Sequence, residues 1–231
     1  MRVGTNLVNF FLVEDAGRVT VVDAGLPAYR PMLEAGLAKL GRTSHDVAAV
    51  VLTHPHIDHI GFAGGLGVPV HVHADDERMT LNGGGFGKRE RPVASYLRYP
   101  HAWKLLTHMK TSGKPPRIED VRTFADGETL DVPGRPRVIH TGGHTSGHVV
   151  FWFEDRGALA VGDLICTLNP LTGRRGPQLL PRALNLSSAH MLDSLPKIEQ
   201  LDAKTILFGH GEEWTRGTSE AVRLVRQTGP T

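Results

Sequence analysis

Apolar positions along the first seventy or so residues switch between two periods. Residues 6–14 (NLVNFFLVE) and 17–25 (GRVTVVDAG) are rich in aromatic and β-branched side chains. A short turn around Asp15 to Gly17 joins them, which predicts two paired strands. From about Ala28 to Leu40 the period lengthens. Met32, Leu33, Leu37 and Leu40 fall on one helical face, and Gly41 closes the segment. The run DVAAVVLT at 46–53 is continuously apolar, as expected of a strand buried on both faces. A short helix near 61–66 and a strand, VPVHVHA at 68–74, follow.

The second half is again strand-rich: ETLDV (128–132), RPRVIHTGG (135–143), HVVFWFE (148–154) and GALAVGDL (157–164). A polar loop with many Pro, Gly and Arg residues is expected from about 167 to 182. A helix near 187–201, a strand KTILFGH at 204–210 and a last helix from about 215 to 227 complete the pattern. Strands and helices recur in both halves. That order predicts a mixed α/β (α+β) fold of two βα-type halves, with sheets face to face and helices outside.

Residues 76–118 break the pattern inside what reads as one domain over residues 1–231. The glycine cluster NGGGFG precedes a mostly helical stretch, PVASYLRYPHAWKLLTHMK, interrupted at Pro100, and the loop SGKPPR returns the chain to the core. This is expected to be an insertion carrying a lid or substrate wall between flexible joints. A dimerisation element, and hence a homodimer, is the alternative.

Composition narrows the partners. Hydrophobic residues make up 40% and charged residues 22% of the 231, which is ordinary for a soluble globular protein. No apolar stretch approaches the roughly 18 to 20 residues that span a bilayer, so no membrane partner is expected. The segment MRVGTNLVNFFLVEDAG lacks the small-residue cleavage site of a signal peptide and reads as a strand. Cys166 is the single cysteine, which excludes an internal disulfide and fits a cytoplasmic location. A net charge of +2 gives no reason to expect nucleic acid. From Lys88 to Arg117, however, eight basic residues (Lys88, Arg89, Arg91, Arg98, Lys104, Lys110, Lys114, Arg117) face one acid, Glu90. A solvated helix face is the plain expectation, and attraction of an anionic small-molecule substrate is the functional one.

The candidate chemistry sits where strands end. Four strand-to-loop junctions carry metal-binding residue types: LTHPHIDH at 52–59, HTGGHTSGH at 140–148, AVGDL at 160–164 and LFGHGEEW at 207–214. Imidazole and carboxylate suit divalent first-row metals, zinc above all, with iron or manganese also compatible. The candidates are His54, His56, Asp58, His59, His144, Asp163 and His210. Seven is too many for one tetrahedral ion and suits two divalent ions sharing a carboxylate. Two ions about 3.5 to 4 Å apart can hold a bridging hydroxide and polarise a substrate oxygen.

With these motifs in this order, the chain resembles the metallo-β-lactamase-fold hydrolases. The HxHxDH signature is His54-Pro55-His56-Ile57-Asp58-His59, and VVDAG, GGHTSGH, GDL and FGHG occur in the expected order around it. Only the basic insertion falls outside. The resemblance implies a four-layer αββα sandwich. It also implies that His54, His56 and His144 hold one metal and Asp58, His59 and His210 the second, with Asp163 bridging. HTSGH is similar to the HTPGH of lactonase-like and glyoxalase II-like members, with Ser146 in the proline position.

Residues beside these motifs have plainer roles open to them. Asp163 alone reads equally as a turn or helix-cap residue. Asp23 is expected to orient the ligand loop from behind. His148 is expected to orient a neighbour or to pack, and His71, His73, His101, His108 and His140 are not expected to bind metal. Cys166 reads as a small buried hydrophobe. Phe86, Tyr96 and Trp103 are candidates for the wall of an apolar substrate pocket, or else they pack the insertion onto the body.

The expected function is metal-assisted hydrolysis of a lactone, ester or thioester, with Asp58 as the catalytic proton carrier and no serine or cysteine nucleophile. The chain ends about twenty residues after His210, where glyoxalase II-like enzymes carry a basic helical extension. No tyrosine follows Asp163, where lactonase-like members place one; the three are Tyr29, Tyr96 and Tyr99. The alternatives are a mononuclear iron oxidoreductase similar to persulfide dioxygenases, a phosphodiesterase, and a non-catalytic metal-binding module.

Overall fold

The computed structural model describes residues 1–230. Strands β1 (Arg2–Gly4), β2 (Asn9–Asp15), β3 (Arg18–Val22), β4 (Val47–Val51), β5 (Val70–His73) and β6 (Val121–Phe124) form one sheet in chain order. The first three pair antiparallel and the later ones parallel. The second sheet has the order β12-β9-β8-β7, from β7 (Arg137–His140), β8 (Val149–Phe153), β9 (Ala158–Gly162) and β12 (Thr205–Phe208). Strands β10 (Cys166–Leu168) and β11 (Arg175–Gln178) make a separate two-stranded pair. The helices are α1 (Arg30–Lys39), α2 (Ile57–Ile60), α3 (Glu77–Leu81), α4 (Pro100–Thr111), α5 (Ser188–Glu199) and α6 (Thr218–Thr228).

Alternation within strands sorts the side chains into layers. On β2, Phe10 and Leu12 pack with Leu33 and Leu37 of α1, while Phe11 and Val13 face the other sheet. On β8, Val150 and Trp152 pack with α5 and α6, while Val149, Phe151 and Phe153 meet Phe11 and Val22 across the sheet interface. Because side chains on a strand point alternately to its two faces, a fully apolar strand can serve two cores at once. The result is the expected helix–sheet–sheet–helix sandwich.

A fourth cluster joins the insertion to the body: Tyr96, Ala102 and Leu105 pack on Leu7, Leu171, Leu180 and Leu184. The expected interruption falls at Pro100: a 3-10 turn ends at Tyr96, and Pro100 is the first residue of α4, where its fixed φ and missing N–H cost nothing. The strand expected at 128–132 is reduced to a bridge between Thr129 and Arg137 of β7, and β6, which was not expected, forms the edge of the first sheet. With Arg122 and Thr123 exposed, β6 carries no apolar alternation to mark it. The expected loop at 167–182 contains β11, and it starts inside β10.

Candidate metal centre

All seven candidate ligands lie together at the ends of the strands, and all are buried. The segment after β4 supplies His54 and His56, and α2 supplies Asp58 and His59. The turn after β7 carries His144, the end of β9 carries Asp163, and the turn after β12 carries His210. Because both sheets end at this rim, residues more than 150 positions apart converge on rigid supports.

The first group is a triangle of ring nitrogens. His54 Nε2 is 3.1 Å from His56 Nδ1 and 3.2 Å from His144 Nε2, and the last two are 2.9 Å apart. Nitrogens bound to one tetrahedral ion at about 2.0–2.1 Å stand roughly 3.3 Å apart, so this triangle is close to the face of such a coordination sphere. The second group is Asp58, His59 and His210. His210 Nε2 lies 3.6 Å from Asp58 Oδ2 and 3.2 Å from Asp163 Oδ2. Asp163 lies between the groups, its Oδ2 3.4 Å from His144 Nε2 and its Oδ1 3.4 Å from His59 Nε2.

The outer nitrogens explain why the inner ones are acceptors. His59 Nδ1 donates to Asp23 Oδ2 at 2.9 Å, and His144 Nδ1 donates to Asn185 Oδ1 at 3.0 Å. His210 Nδ1 donates to the Leu7 carbonyl, and His54 Nδ1 lies 3.1 Å from Thr53 Oγ1, which itself donates to Asp23. An imidazole that donates outward through one nitrogen presents a lone pair inward through the other. Five ring lone pairs and two carboxylates therefore converge in a buried space. His59 Nε2 and Asp163 Oδ1 find no hydrogen-bond partner at all. Such a set repels itself unless cations lie between its members, so the donor chemistry fits two divalent ions.

The electrostatics agree. Burial, reinforced by neighbouring imidazoles, holds His54 and His56 well below the ordinary histidine value, so both stay neutral and free to bind metal. Burial also opposes charge on His59 and His210, but Asp163, joined by Asp23 at His59 and Asp58 at His210, outweighs it and raises both. Burial would raise Asp163, yet His210 and His59 hold it well below the usual carboxylate range. Without metal, protons are thus drawn onto the second group, and an incoming cation must displace them.

Asp23 lies behind the candidate ligands, holding His59 Nδ1. Its carboxylate also accepts from the Thr53 backbone N–H at 2.8 Å, and its own backbone sits at φ 58°, a strained region for a non-glycine residue. His148 binds no inner atom of either group. Its Nε2 accepts from the Asp163 backbone N–H at 3.1 Å, which steadies the central carboxylate. Gly209 is required by crowding: a Cβ there would collide with Asp163 Oδ1 and come within 2.7 Å of His59 Cε1. Asn185 and Thr53 belong to the site but carried no motif in the sequence, since a lone Asn or Thr beside a loop is too common to single out.

Next to the candidate ligands is a cavity of about 140 Å³ walled by Phe86, Val93, Leu105, Leu106, Leu171 and Leu184, and Asp58, Asp163 and His210 also line it. Phe86 lies against His56, with ring centroids 4.8 Å apart and planes tilted by 38°. Of the three aromatic candidates, only Phe86 is on that wall. Tyr96 is buried in the cluster that packs the insertion onto the body, and Trp103 is 56% exposed with its indole N–H donating to the Leu97 carbonyl. His73 and His140 stack on each other outside the site, and Cys166 is buried with its thiol pushed up by burial.

A family profile described as the metallo-beta-lactamase superfamily matches residues 3–210. The chain belongs to the metallo-beta-lactamase superfamily. A hydroxyacylglutathione hydrolase of Rhodospirillum rubrum is 33% identical over 96 residues, 41% of this chain and 33% of that protein, so the match spans about a third of the relative's length. A metallo-beta-lactamase family protein of Thermus thermophilus, TTHA1429, superposes with a TM-score of 0.68 at 29% identity, covering 96% of this chain and 74% of its own. TTHA1623, solved in a di-iron-bound form, superposes at 0.61 with 24% identity over 93% of each chain and shares the fold. Members of the superfamily bind divalent metals and are generally hydrolytic.

Proposed function

We propose that this protein is a binuclear metal-dependent hydrolase that cleaves an ester, thioester or lactone. The observation that carries the reading is Asp163, a buried carboxylate within 3.4 Å of ring nitrogens from both groups, His144 of the first and His59 and His210 of the second. A single-ion site does not need that arrangement. Zinc is the ion we propose on donor chemistry. TTHA1623, with its two irons, makes iron the ion to test against it.

Two such ions supply Lewis acidity at a carbonyl oxygen and make water acidic enough to react near neutral pH. The rest is the protein's work. His54, His56 and His144 stay neutral through burial and hold their lone pairs in one triangle. Asp58 lines the apolar cavity. It is positioned to take a proton from the attacking water and pass it to the leaving group. The apolar wall excludes bulk water, which strengthens each charge interaction within.

The relative named hydroxyacylglutathione hydrolase supports an acyl-transfer substrate. The test is turnover of an ester, thioester and lactone panel by protein stripped with chelator and reconstituted with zinc. Hydrolysis that disappears on stripping and returns on loading supports the reading. A loaded protein that turns over none of the panel overturns it.

A further inference from the structure

A second cavity, of about 260 Å³, also borders the first ligand triangle, through His56 and His144. It differs in kind from the apolar one. Lys88, Arg89, Thr145 and Ser146 line it, with Met79 and Leu186. The two cavities share four residues: His56, His144, Arg89 and Leu184. They therefore meet over two of the candidate ligands, with Arg89 at the junction.

Arg89 is poised and unneutralised. Its guanidinium lies 4.4 Å over the Phe86 ring and joins no ion pair among the described residues. The neighbouring residue explains its placement. Glu90 accepts from the Ser188 N–H at 3.0 Å and from its hydroxyl at 2.6 Å, and it also pairs with Arg182 at 3.2 Å. The Glu90 N–H donates to the Asn185 carbonyl at 3.0 Å, and Asn185 is the residue that orients His144. The one acid of the basic stretch thus binds its own backbone to the metal centre and leaves Lys88 and Arg89 facing the cavity. A half-buried cation beside a polar cavity, with no partner carboxylate, is a recognition element for an anion.

We propose that the substrate has two unlike halves flanking the scissile bond: an apolar group in the Phe86–Leu105–Leu171 cavity and an anionic group bound by Arg89, with Lys88, in the polar one. This rests on the hydrolase reading and adds to it the chemical class of substrate. The other basic residues of the stretch take no part. Arg98 lies over the Tyr99 ring, and Arg91, Lys104, Lys110, Lys114 and Arg117 are exposed outside both cavities.

The test is calorimetric binding of stable amide mimics to metal-loaded wild type and to the double variant K88A/R89A. The probes are N-hexanoyl-para-aminobenzoate, its neutral methyl ester, and the N-acetyl acid. Wild type is expected to bind the hexanoyl acid about tenfold or more tightly than its methyl ester, as a charge-assisted contact gives. It should also bind that acid at least about tenfold more tightly than the acetyl acid, from four buried methylenes. The variant is expected to lose the charge preference, its ratio falling to about one, and to keep the chain-length preference, which also shows it folded. Wild type indifferent to charge or to chain length, or a variant that retains the charge preference, overturns the proposal. If the charge preference holds but no ester is hydrolysed, the hydrolase reading alone fails; if esters are hydrolysed without charge preference, this proposal alone fails.

Discussion

Glu90 and Ser188, 98 positions apart, are joined twice: one carboxylate oxygen accepts from the Ser188 N–H and the other from its hydroxyl. The pair ties the insertion to the start of α5, which follows directly on Asn185 and its hold on His144. Hydrogen bonds to Ser188 and Arg182 outweigh burial and keep the Glu90 carboxyl below its ordinary value. A depressed carboxylate stabilises the fold above the unfolded value near 4.3 and loses that contribution as pH falls through the folded one. E90Q is therefore expected to lower the melting temperature by a few degrees at neutral pH, for a loss of about 1–2 kcal/mol. The gap to wild type should narrow as the pH falls below the unfolded value and through the folded one. Thermal unfolding across pH checks both the size and the sign.

Asn185→Ala leaves the His144 ring without its outer acceptor. The expected result is a 10- to 100-fold loss of metal affinity with the fold retained, the usual effect of removing a ligand's hydrogen-bond partner. Competition with a chelator of known affinity measures it. An unchanged affinity would mean that the ring is held by its neighbours alone.

Asp58→Asn and His56→Ala should separate binding from turnover. His56→Ala removes one corner of the nitrogen triangle, so metal and activity are expected to fall together. Asp58→Asn keeps a polar oxygen beside His210 but removes the proton acceptor, so kcat should drop by about 10²–10⁴ with the first ion retained. Activity and metal content on the same preparations decide the matter.

Metal removal should be felt by the whole fold, because the converging groups are buried and only protons on the second group would replace the ions. At a thousandfold excess over the dissociation constant, bound metal stabilises by about 4 kcal/mol, or roughly 8–16 °C for a chain of this size. Scanning calorimetry with and without chelator reads this directly. Gly209→Ala, which forces a methyl group against Asp163 and His59, is expected to abolish much of that difference.

The two sheets were legible in the sequence because strands such as β4 and β8 are apolar along their whole length. The candidate ligands could be singled out because each follows such a strand in a His- or Asp-bearing motif. What stayed hidden had no such pattern. β6 is a half-exposed edge strand, and β10 and β11 lie among turn residues that suggest a loop. Trp103 and Tyr96 were singled out for their size, yet on α4 the cavity-facing positions are Leu105, Leu106 and Met109. The charge run was readable as a whole, but only the chain's path through Glu90 distinguishes Arg89, at the cavity, from its solvated neighbours.

The central claim is that one carboxylate, Asp163, serves two ions. The most direct measurement is elemental analysis of protein purified without added metal and then loaded with zinc, expressed per chain and compared with Asp163→Asn. The account predicts about two ions per chain in wild type and one or fewer in the variant. A stable single ion in both, or two ions in both, would contradict it.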